Sequence, residues 1–411
     1  MSQVRIYIPN LILRGVTRRS IHYKTYPSVI SLDSKPLFDK STNGNKLFQV
    51  LKANLASNKF RVSSTDSDLS KDINSTVTLP STHSLITEEK AKINGPAPVA
   101  RWRRTPTLWF RIIKGQMKVY RESIKGLYRI HKEYKSVSPA QYSSQEMLKN
   151  LETASLDGTI TRKRYVEMYR RSEFWKLPRF VVMFFIFEEL FLVMVYLWPK
   201  LGLKSALTVG AYKKITNSHV FSNELRNQMS GTVGIGKNTA SISSPYDMDI
   251  VMLKNLLQQL PVNDVPNWKI SVWKLFNIKP KIANLVSERH EYYVVDDWLL
   301  LRSLLDPAVD HLTISDRELV NLIAERQLYN KDEDLNQMVN DDTGRKILIW
   351  RMFLYWSFRF DKVDVLLPVP NGTFTNKWGV NNVSILNFPG TLADYGDKVK
   401  LFGREHLQYV Q

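Results

Sequence analysis

The longest apolar run of the chain covers residues 180–198 and lies between two prolines. Every residue in it is apolar except the adjacent carboxylates Glu188 and Glu189. A helix of this length would reach about 28 Å, which is close to the hydrocarbon thickness of a bilayer. The pattern predicts one transmembrane helix over residues 178–200. The alternative is a buried core helix of a water-soluble domain.

Two acidic side chains are unexpected in such a segment. An ionised carboxylate at mid-depth costs roughly 2.5–3.5 kcal/mol, so each would keep its proton, form a pair or face another helix. Glu188 and Glu189 are therefore candidates for coupling protons to ion movement, and the alternative is that they mark a helix–helix contact. Because one helix cannot enclose a path, either role requires self-association or a membrane partner.

A basic amphipathic pattern precedes the apolar run. Residues 101–135 hold eleven basic side chains and two acidic ones. Apolar side chains recur among them at spacings of three or four, at Ile113, Met117, Tyr120, Ile124, Leu127 and Tyr128. This pattern predicts a helix with one apolar stripe. Such a helix suits a membrane surface or RNA, and the alternative is a solvated helix packed on its neighbours.

The basic side chains of this helix are the candidate contacts to membrane or RNA. They are Arg101, Arg103, Arg104, Arg111, Lys114, Lys118, Arg121, Lys125 and Arg129.

The pattern after the apolar run is helical again between residues 250 and 362. Ser315 and Glu318 have the spacing of a capping box, which predicts a helix start. Asp296 or Asp297 could cap the apolar segment that follows them, and residues 343–360 predict a long helix. The expected fold is mainly α, with a single transmembrane helix followed by a small all-helical domain and preceded by a disordered linker.

The remaining boundaries follow from composition. Residues 1–32 contain five basic residues and no acid, which is typical of a mitochondrial transit peptide, although an ordinary basic tail is the alternative. Residues 33–98 are rich in Ser and Thr and predict a disordered linker. Residues 99–177 predict basic helices flanking the membrane, residues 201–249 a flexible loop, and residues 363–411 an irregular tail.

The net charge of +19 is unevenly distributed. Residues 1–180 hold 33 basic and 14 acidic side chains, whereas residues 181–411 hold 25 of each. A basic half favours anionic lipid headgroups or nucleic acid as its partner. The neutral half is not expected to bind phosphate as its main role.

Several kinds of chemistry are excluded. The chain has no cysteine, so it contains no disulfide, thiolate nucleophile or zinc–thiolate site. Residues 231–238 follow the phosphate-loop spacing, but Asn238 replaces the required Ser or Thr and no strand precedes it. Residues 332–343 begin like a calcium loop but lack its Gly and its final Glu. We therefore expect no enzyme activity, no metal site and no cofactor.

The order of these segments resembles the mitochondrial LETM family. The resemblance rests on GQMKVYRESIKGLYRIHKEYK at 115–135, on ITRKRYVEMYRRS at 160–172 and on the apolar span that contains Glu189. It also rests on two helix pairs between Trp268 and Phe360 that are similar to the family's ribosome-binding domain. The coiled coil and calcium loop of the family are missing, so calcium regulation is not implied.

The resemblance implies a single-pass inner-membrane protein with its C-terminal domain in the matrix, potassium/proton exchange, cation homeostasis and association with the mitochondrial ribosome. The alternative function is a membrane tether for the ribosome that assists membrane-protein insertion without transport of its own. The charges conflict with this orientation. Seven basic residues between Arg162 and Arg179 precede the span, and the positive-inside rule would place that side in the matrix.

Overall fold

The computed structural model describes residues 46–80, 83–95, 103–137, 160–187, 190–216, 279–329 and 333–360, with a few short pieces between and after them. Several predictions fall outside these residues. They concern the transit peptide at 1–32, Arg101, Glu188, Glu189, the phosphate-loop-like stretch and most of the tail after residue 360.

The described part of the chain is mainly helical, which confirms the predicted class. In chain order the helices are α1 (Lys46–Ala56), α2 (His83–Ile93), α3 (Arg104–Glu133), α4 (Arg162–Arg170), α5 (Leu177–Phe187), α6 (Leu190–Leu197), α7 (Val209–Thr216), α8 (Lys279–Leu305), α9 (Asp316–Glu325), α10 (Leu335–Asn340) and α11 (Asp342–Arg359). The strands are β1 (Phe60–Ser63), β2 (Ser241–Ile242), β3 (Leu312–Ser315) and β4 (Gly379–Val380). Short 3-10 turns cover Asp66–Asp68, Arg171–Lys176, Pro199–Leu201 and Lys204–Ala206.

Strand β1 contradicts the predicted linker over residues 33–98. It pairs in parallel with β3, and Phe60 lies opposite Leu312. The ring of Phe60 contacts Phe353 of α11 at a centroid distance of 5.4 Å, and Phe48 of α1 contacts Trp350 at 5.0 Å. The prediction is wrong for residues 46–80 and 83–95. Its scattered apolar residues bury themselves against helices more than 200 residues away, which a local count of Ser and Thr does not reveal.

Of the two hydrogen bonds of the capping box predicted at the start of α9, one is formed. The Ser315 hydroxyl accepts the Glu318 backbone N–H at 3.0 Å. The Glu318 side chain does not return to Ser315, whose N–H donates to the Asn74 side chain at 2.8 Å instead. The Glu318 carboxylate lies 2.6 Å from Arg162. A buried cation thus takes the place of the second capping bond.

Asp296 and Asp297 do not cap a helix. Both lie inside the continuous helix α8 and both are buried. The apolar residues after them suggested a helix start, but the polar pair forms buried ion pairs with arginines from other elements. The predicted helix at 343–360 agrees with α11.

The predicted transmembrane helix is not one straight helix. The rings of Phe180 in α5 and Phe191 in α6 lie 4.7 Å apart. In a continuous helix these two positions would be separated by about 16 Å along the axis, so α5 and α6 are not collinear. None of the helices that the structure describes combines the length and apolar character needed to cross a bilayer.

Residues 201–216 are folded rather than part of a flexible loop. The turn at Lys204–Ala206 and helix α7 pack on the helical core, and Leu203, Ala206 and Tyr212 are buried. The Gln116 side chain donates to the Ala206 carbonyl at 2.9 Å. The chain therefore returns to α3 directly after the apolar segment.

Candidate functional site

Helix α3 organises the exposed side of the molecule. It spans 30 residues and buries Tyr120, Leu127 and Ile130 on its inner side. These positions are three or seven residues apart, which places them along one side of a helix. Helix α2 covers another part of α3, where Gly115 lies against Leu85, and the rest of the α3 surface is left to solvent or to a partner.

A row of basic side chains follows the outer side of α3. We call Lys114, Lys118, Arg121, Lys125, Arg129 and Lys132 the outer basic row. The spacing of three or four residues keeps all six on one face, and all are exposed. Within the described residues, one ion pair of this row joins Lys118 to Glu122 at 3.9 Å, and both side chains are largely in solvent. The row is therefore a nearly uncompensated positive surface.

The other predicted contact residues differ in their surroundings. Arg103 and Arg104 are exposed at the start of α3. Arg111 lies 3.7 Å from the Glu89 carboxylate of α2, which reduces its positive charge toward a partner. Arg129 donates to the Thr76 hydroxyl at 3.0 Å. Seven residues of the predicted set are thus exposed, five of them in the outer basic row and two, Arg103 and Arg104, at the start of α3.

Apolar side chains lie next to the outer basic row. Trp109, Ile113 and Met117 are four residues apart and exposed, and Phe110 is exposed as well. The sequence had placed Ile113 and Met117 on the same stripe as Tyr120 and Leu127. The structure separates them along the helix axis, because Tyr120 and Leu127 are buried whereas Ile113 and Met117, nearer the start of α3, are exposed.

Helix α5 adds a second exposed apolar face. Val182, Phe185 and Ile186 are exposed by 55%, 74% and 65%. No residue between Phe180 and Phe187 carries a charge. Trp175, in the preceding turn, is 72% exposed. We refer to the exposed apolar side chains of α3 and α5 together with the outer basic row as the outer surface.

The inner side of α5 and α6 is packed on α3 through aromatic rings. Phe180 stacks on Tyr120 at a centroid distance of 5.5 Å, and Phe191 contacts both Phe180 and Phe184. Gly202 lies against the same tyrosine: a methyl group at this position would be 3.2 Å from the Tyr120 hydroxyl. Tyr120 thus contacts the first residue of the apolar segment and the chain that follows the segment.

Buried ion pairs hold the segment that follows α6. One oxygen of Glu325 in α9 receives Lys204 at 2.7 Å, Arg289 at 3.4 Å and Arg170. Burial would raise the pKa of Glu325, but the three cations outweigh it and hold the pKa well below its usual range. Burial and the neighbouring Arg170 charge lower the pKa of Lys204 to about 7.

A second group of buried ion pairs joins α4, α8 and α9. Asp296 lies 2.7 Å from Arg162 and 2.6 Å from Arg326. Burial would raise the pKa of Asp296, but these two guanidinium groups lower it. Asp297 accepts the Trp356 indole N–H at 2.7 Å, yet burial raises the pKa of this carboxyl to about 6.

These buried charges stabilise the fold and show no catalytic arrangement. They are enclosed by helices, and no group of His, Asp or Glu that could hold a metal ion occurs among the residues that the structure covers. Local sequence patterns missed them because the paired residues are 29 to 155 positions apart. The outer surface is the feature that can bind a partner.

Comparisons with known proteins identify the family. The model of the pentamidine resistance factor domain matches residues 73–305. The chain is 31% identical over 409 residues to "Pentamidine resistance factor, mitochondrial" of Saccharomyces cerevisiae, and the match covers 89% of this chain and 96% of that protein. No solved structure matches.

These matches show that the resemblance to the LETM family is wrong. It rested on the order of short basic and apolar segments, and basic amphipathic helices beside an apolar run occur in unrelated membrane-associated proteins. A domain model that covers more than half of the chain, and a relative aligned over nearly its whole length, replace that resemblance. The chain belongs to the pentamidine resistance factor family.

Proposed function

We propose that this chain is a membrane-associated mitochondrial protein that acts by binding rather than by catalysis and assists the insertion of membrane proteins. The observation that carries the proposal is the exposure of apolar side chains on α5 and of basic and apolar side chains on α3. The word "mitochondrial" in the name of the yeast relative supports the predicted location.

The composition of the outer surface fits the boundary between lipid and water. Transfer of apolar side chains from water into the acyl region is favourable. Full burial of a Val, Ile or Phe side chain contributes roughly 1.5–3 kcal/mol to binding. Basic side chains beside them remain among anionic headgroups. An exposed apolar helix face of this kind is rarely left in water, since contiguous apolar patches usually mark a membrane or protein contact.

Assistance to insertion is the part of the predicted function that this surface supports. An apolar helix face held at the membrane boundary offers a contact for an apolar segment that has not yet entered the bilayer. Potassium/proton exchange and ribosome association are not part of the proposal. Both were implied by the LETM resemblance, and Glu188 and Glu189 lie outside the described residues.

The insertion role is tested in mitochondria from two strains that differ only in this chain. Newly made mitochondrial translation products are labelled, and the fraction that resists carbonate extraction is measured. We expect that fraction to fall when the chain is absent. An unchanged fraction for every labelled membrane product would refute the insertion role.

A pair of variants connects this role to the outer surface. Phe185→Asp places a charge on the exposed face of α5, whereas Val272→Asp places one at another exposed apolar position that belongs to neither α3 nor α5. We expect Phe185→Asp to reproduce the effect of deletion and Val272→Asp to behave as the unmodified chain. If the two variants behave alike, the insertion role does not depend on the outer surface.

The name of the relative suggests a second measurement. Because that protein is called a pentamidine resistance factor, we propose that removal of this chain lowers the pentamidine concentration at which growth stops. Growth of the same two strains on a non-fermentable carbon source across a pentamidine series measures it. Identical tolerance would show that the resistance described by the name does not extend to this chain.

A further inference from the structure

Two sides of α3 are covered by other parts of the described chain. Tyr120, Leu127 and Ile130 are buried on the inner side. Helix α2 covers a second side, where Leu85 lies against Gly115. The residues of the outer basic row are exposed on the third side. That third side is therefore available to a partner over most of the length of the helix.

Three exposed apolar side chains form a line beside the outer basic row. Phe110, Met117 and Tyr128 are exposed by 69%, 36% and 59%. Successive members are seven and eleven residues apart, which is close to two and three turns of an α-helix, so the three lie along one line. We call these three residues the apolar line. It extends along α3 for about 27 Å.

The apolar line and the outer basic row run side by side. Each residue of the line is followed four positions later by a residue of the row. The three that follow are Lys114, Arg121 and Lys132. A step of four residues turns by about 40° around the helix axis, so each apolar side chain has a basic neighbour one turn along and slightly to the side. The third side of α3 thus consists of an apolar strip and a basic strip of similar length.

Trp175 adds an aromatic ring near the C-terminal end of the apolar line. Its ring contacts that of His131 at a centroid distance of 6.0 Å, and its side chain is 72% exposed. His131 follows Tyr128 by three residues, which is one turn of the helix. Trp and Tyr side chains are enriched where lipid meets water. The composition at this end of the line is therefore that of an interfacial contact.

Contacts on the inner side hold α3 in one orientation. The Gln116 side chain donates to the Ala206 carbonyl at 2.9 Å, and the ring of His131 stacks on Phe174 at 3.8 Å. The hydroxyl of Ser123 is also hydrogen-bonded to that of Ser205. A partner therefore meets a helix that is already formed and fixed. Binding to such a helix avoids the entropic cost of ordering a segment.

We infer that α3 lies parallel to the surface of an anionic lipid bilayer, with its apolar line among the upper parts of the acyl chains and its outer basic row on the phosphate groups. The inference rests on the proposed membrane association. It adds which helix makes the contact, how that helix is oriented and which lipid charge it requires. Interfacial helices of this kind bury their apolar face about 5–10 Å deep.

The pairing of an apolar strip with a basic strip favours lipid over RNA as the partner. RNA phosphates would attract the outer basic row but would leave Met117 against a charged, hydrated backbone. Single-stranded RNA stacks successive bases on aromatic side chains, whereas Phe110 and Tyr128 are about 27 Å apart. A lipid leaflet supplies phosphate groups and acyl chains side by side along the whole length of α3.

The absence of cysteine from the chain allows one fluorophore to be attached at a chosen position. Phe110→Cys and Tyr128→Cys place a thiol at either end of the apolar line. Glu122→Cys is the matched control, because Glu122 is exposed on the same helix about 120° around the axis from both. Each thiol is labelled with a fluorophore whose emission moves to shorter wavelength in apolar surroundings.

Each labelled full-length chain is mixed with phosphatidylcholine vesicles or with vesicles that also contain phosphatidylglycerol. With the anionic vesicles we expect flotation and a shift to shorter wavelength at positions 110 and 128, but not at position 122. Flotation and shift should both be smaller with the neutral vesicles. Flotation without a shift at both ends of the line, or with an equal shift at position 122, would overturn the inference while leaving membrane association intact.

A double variant tests whether the apolar line contributes beyond charge. Phe110→Ser with Tyr128→Ser removes two exposed rings and keeps every basic residue of α3. We expect its partitioning to anionic vesicles to be weaker by at least about tenfold. Unchanged partitioning would show that the line does not enter the lipid and would overturn the inference.

Two further outcomes are distinguished by the same preparations. No flotation of the unmodified chain with either kind of vesicle would remove the proposed membrane association together with the inference. In mitochondria, we expect membrane association to persist after ribonuclease treatment of the opened organelles. Association that ribonuclease abolishes would assign this side of α3 to RNA and overturn the inference.

Discussion

The Lys204 side chain lies 2.7 Å from the Glu325 carboxylate and joins the turn that follows α6 to helix α9. The same carboxylate oxygen also receives Arg170 and Arg289. Three cations around one carboxylate leave an excess of positive charge in a buried place. Burial, and after it this excess of positive charge, lowers the pKa of Lys204, the only one of the three cations that releases its proton readily.

The unfolding free energy should therefore depend on pH through Lys204. Its pKa is about 7 in the folded chain, against an ordinary value of 10.5. Between these values the unfolded chain binds more protons, so the unfolding free energy rises with pH, by at most about 1.4 kcal/mol per pH unit. Lys204→Met lacks this contribution and keeps Glu325 paired with both arginines. We expect a flatter rise between pH 7 and pH 9 than in the unmodified chain.

Urea unfolding of the full chain at the two pH values measures this difference. Lys118→Met is the matched control, because Lys118 is largely exposed on α3. Its pH dependence should equal that of the unmodified chain. Equal slopes for all three proteins would show that Lys204 does not titrate in this range.

Arg162 should be among the most sensitive positions of the fold. It lies 2.6 Å from Glu318 and 2.7 Å from Asp296, and it donates to the Ile73 carbonyl at 2.8 Å. Arg162→Met leaves Glu318 buried without its cation. Breaking a buried pair in this way costs about 3–5 kcal/mol, so we expect a large fall in the unfolding free energy by urea titration.

Two further variants test whether the uncompensated Glu318 charge causes that fall in the unfolding free energy. Lys163→Met, at the neighbouring and partly exposed position, should change the unfolding free energy by only about 0.5 kcal/mol. Adding Glu318→Leu to Arg162→Met removes the orphaned carboxylate and should recover part of the loss. If the double variant is no more stable than Arg162→Met, the uncompensated charge is not the cause.

The contrast between Arg162 and Ser315 shows which features can be predicted from sequence. The Ser315 cap and helix α11 depend on neighbours within a few residues, and their patterns predicted them correctly. Arg162 and Asp296 meet across 134 positions, and β1 pairs with β3 across about 250. No periodicity within a short window contains that information.

The prediction of one transmembrane helix over the apolar segment is unsupported for a related reason. Its length and hydropathy suit a bilayer crossing, but whether the chain continues or folds back depends on contacts such as Phe180 with Phe191 and Gly202 with Tyr120. The basic residues of α3 were predicted as a set. Which of them are exposed together required the positions of α2, α5 and the turn at Lys204–Ala206.

Alanine substitutions at two glycines should change the unfolding free energy in opposite directions. A methyl group at Gly344, in the first turn of α11, would lie 2.6 Å from the Met338 Cα, which is backbone and cannot move aside. We expect Gly344→Ala to lower the unfolding free energy by about 1–3 kcal/mol. In α3, a methyl group at Gly126 has no neighbour within 4 Å, so Gly126→Ala should raise it by about 0.5–1 kcal/mol. Thermal unfolding followed by circular dichroism measures the stability of both variants. A change in the same direction for both would contradict the close packing at Gly344.

The outer basic row should determine the affinity for anionic vesicles. The variant Lys114→Gln, Lys118→Gln, Arg121→Gln removes three exposed charges from one face of α3. Each basic side chain near an anionic surface contributes about 1 kcal/mol, so the loss of three should weaken vesicle partitioning about 100-fold at low salt. Added salt should reduce the difference, because screening weakens the contribution of the unmodified row.

A matched triple variant separates this row from net charge. Lys71→Gln, Arg302→Gln, Arg317→Gln removes the same charge from exposed positions on other elements. We expect its partitioning to stay close to that of the unmodified chain, since those side chains lie outside the outer surface. If both triple variants weaken partitioning equally, the attraction comes from total charge alone and α3 has no particular orientation toward the bilayer. A difference between them assigns the contact to the face of α3 that carries both the basic row and the exposed Ile113 and Met117.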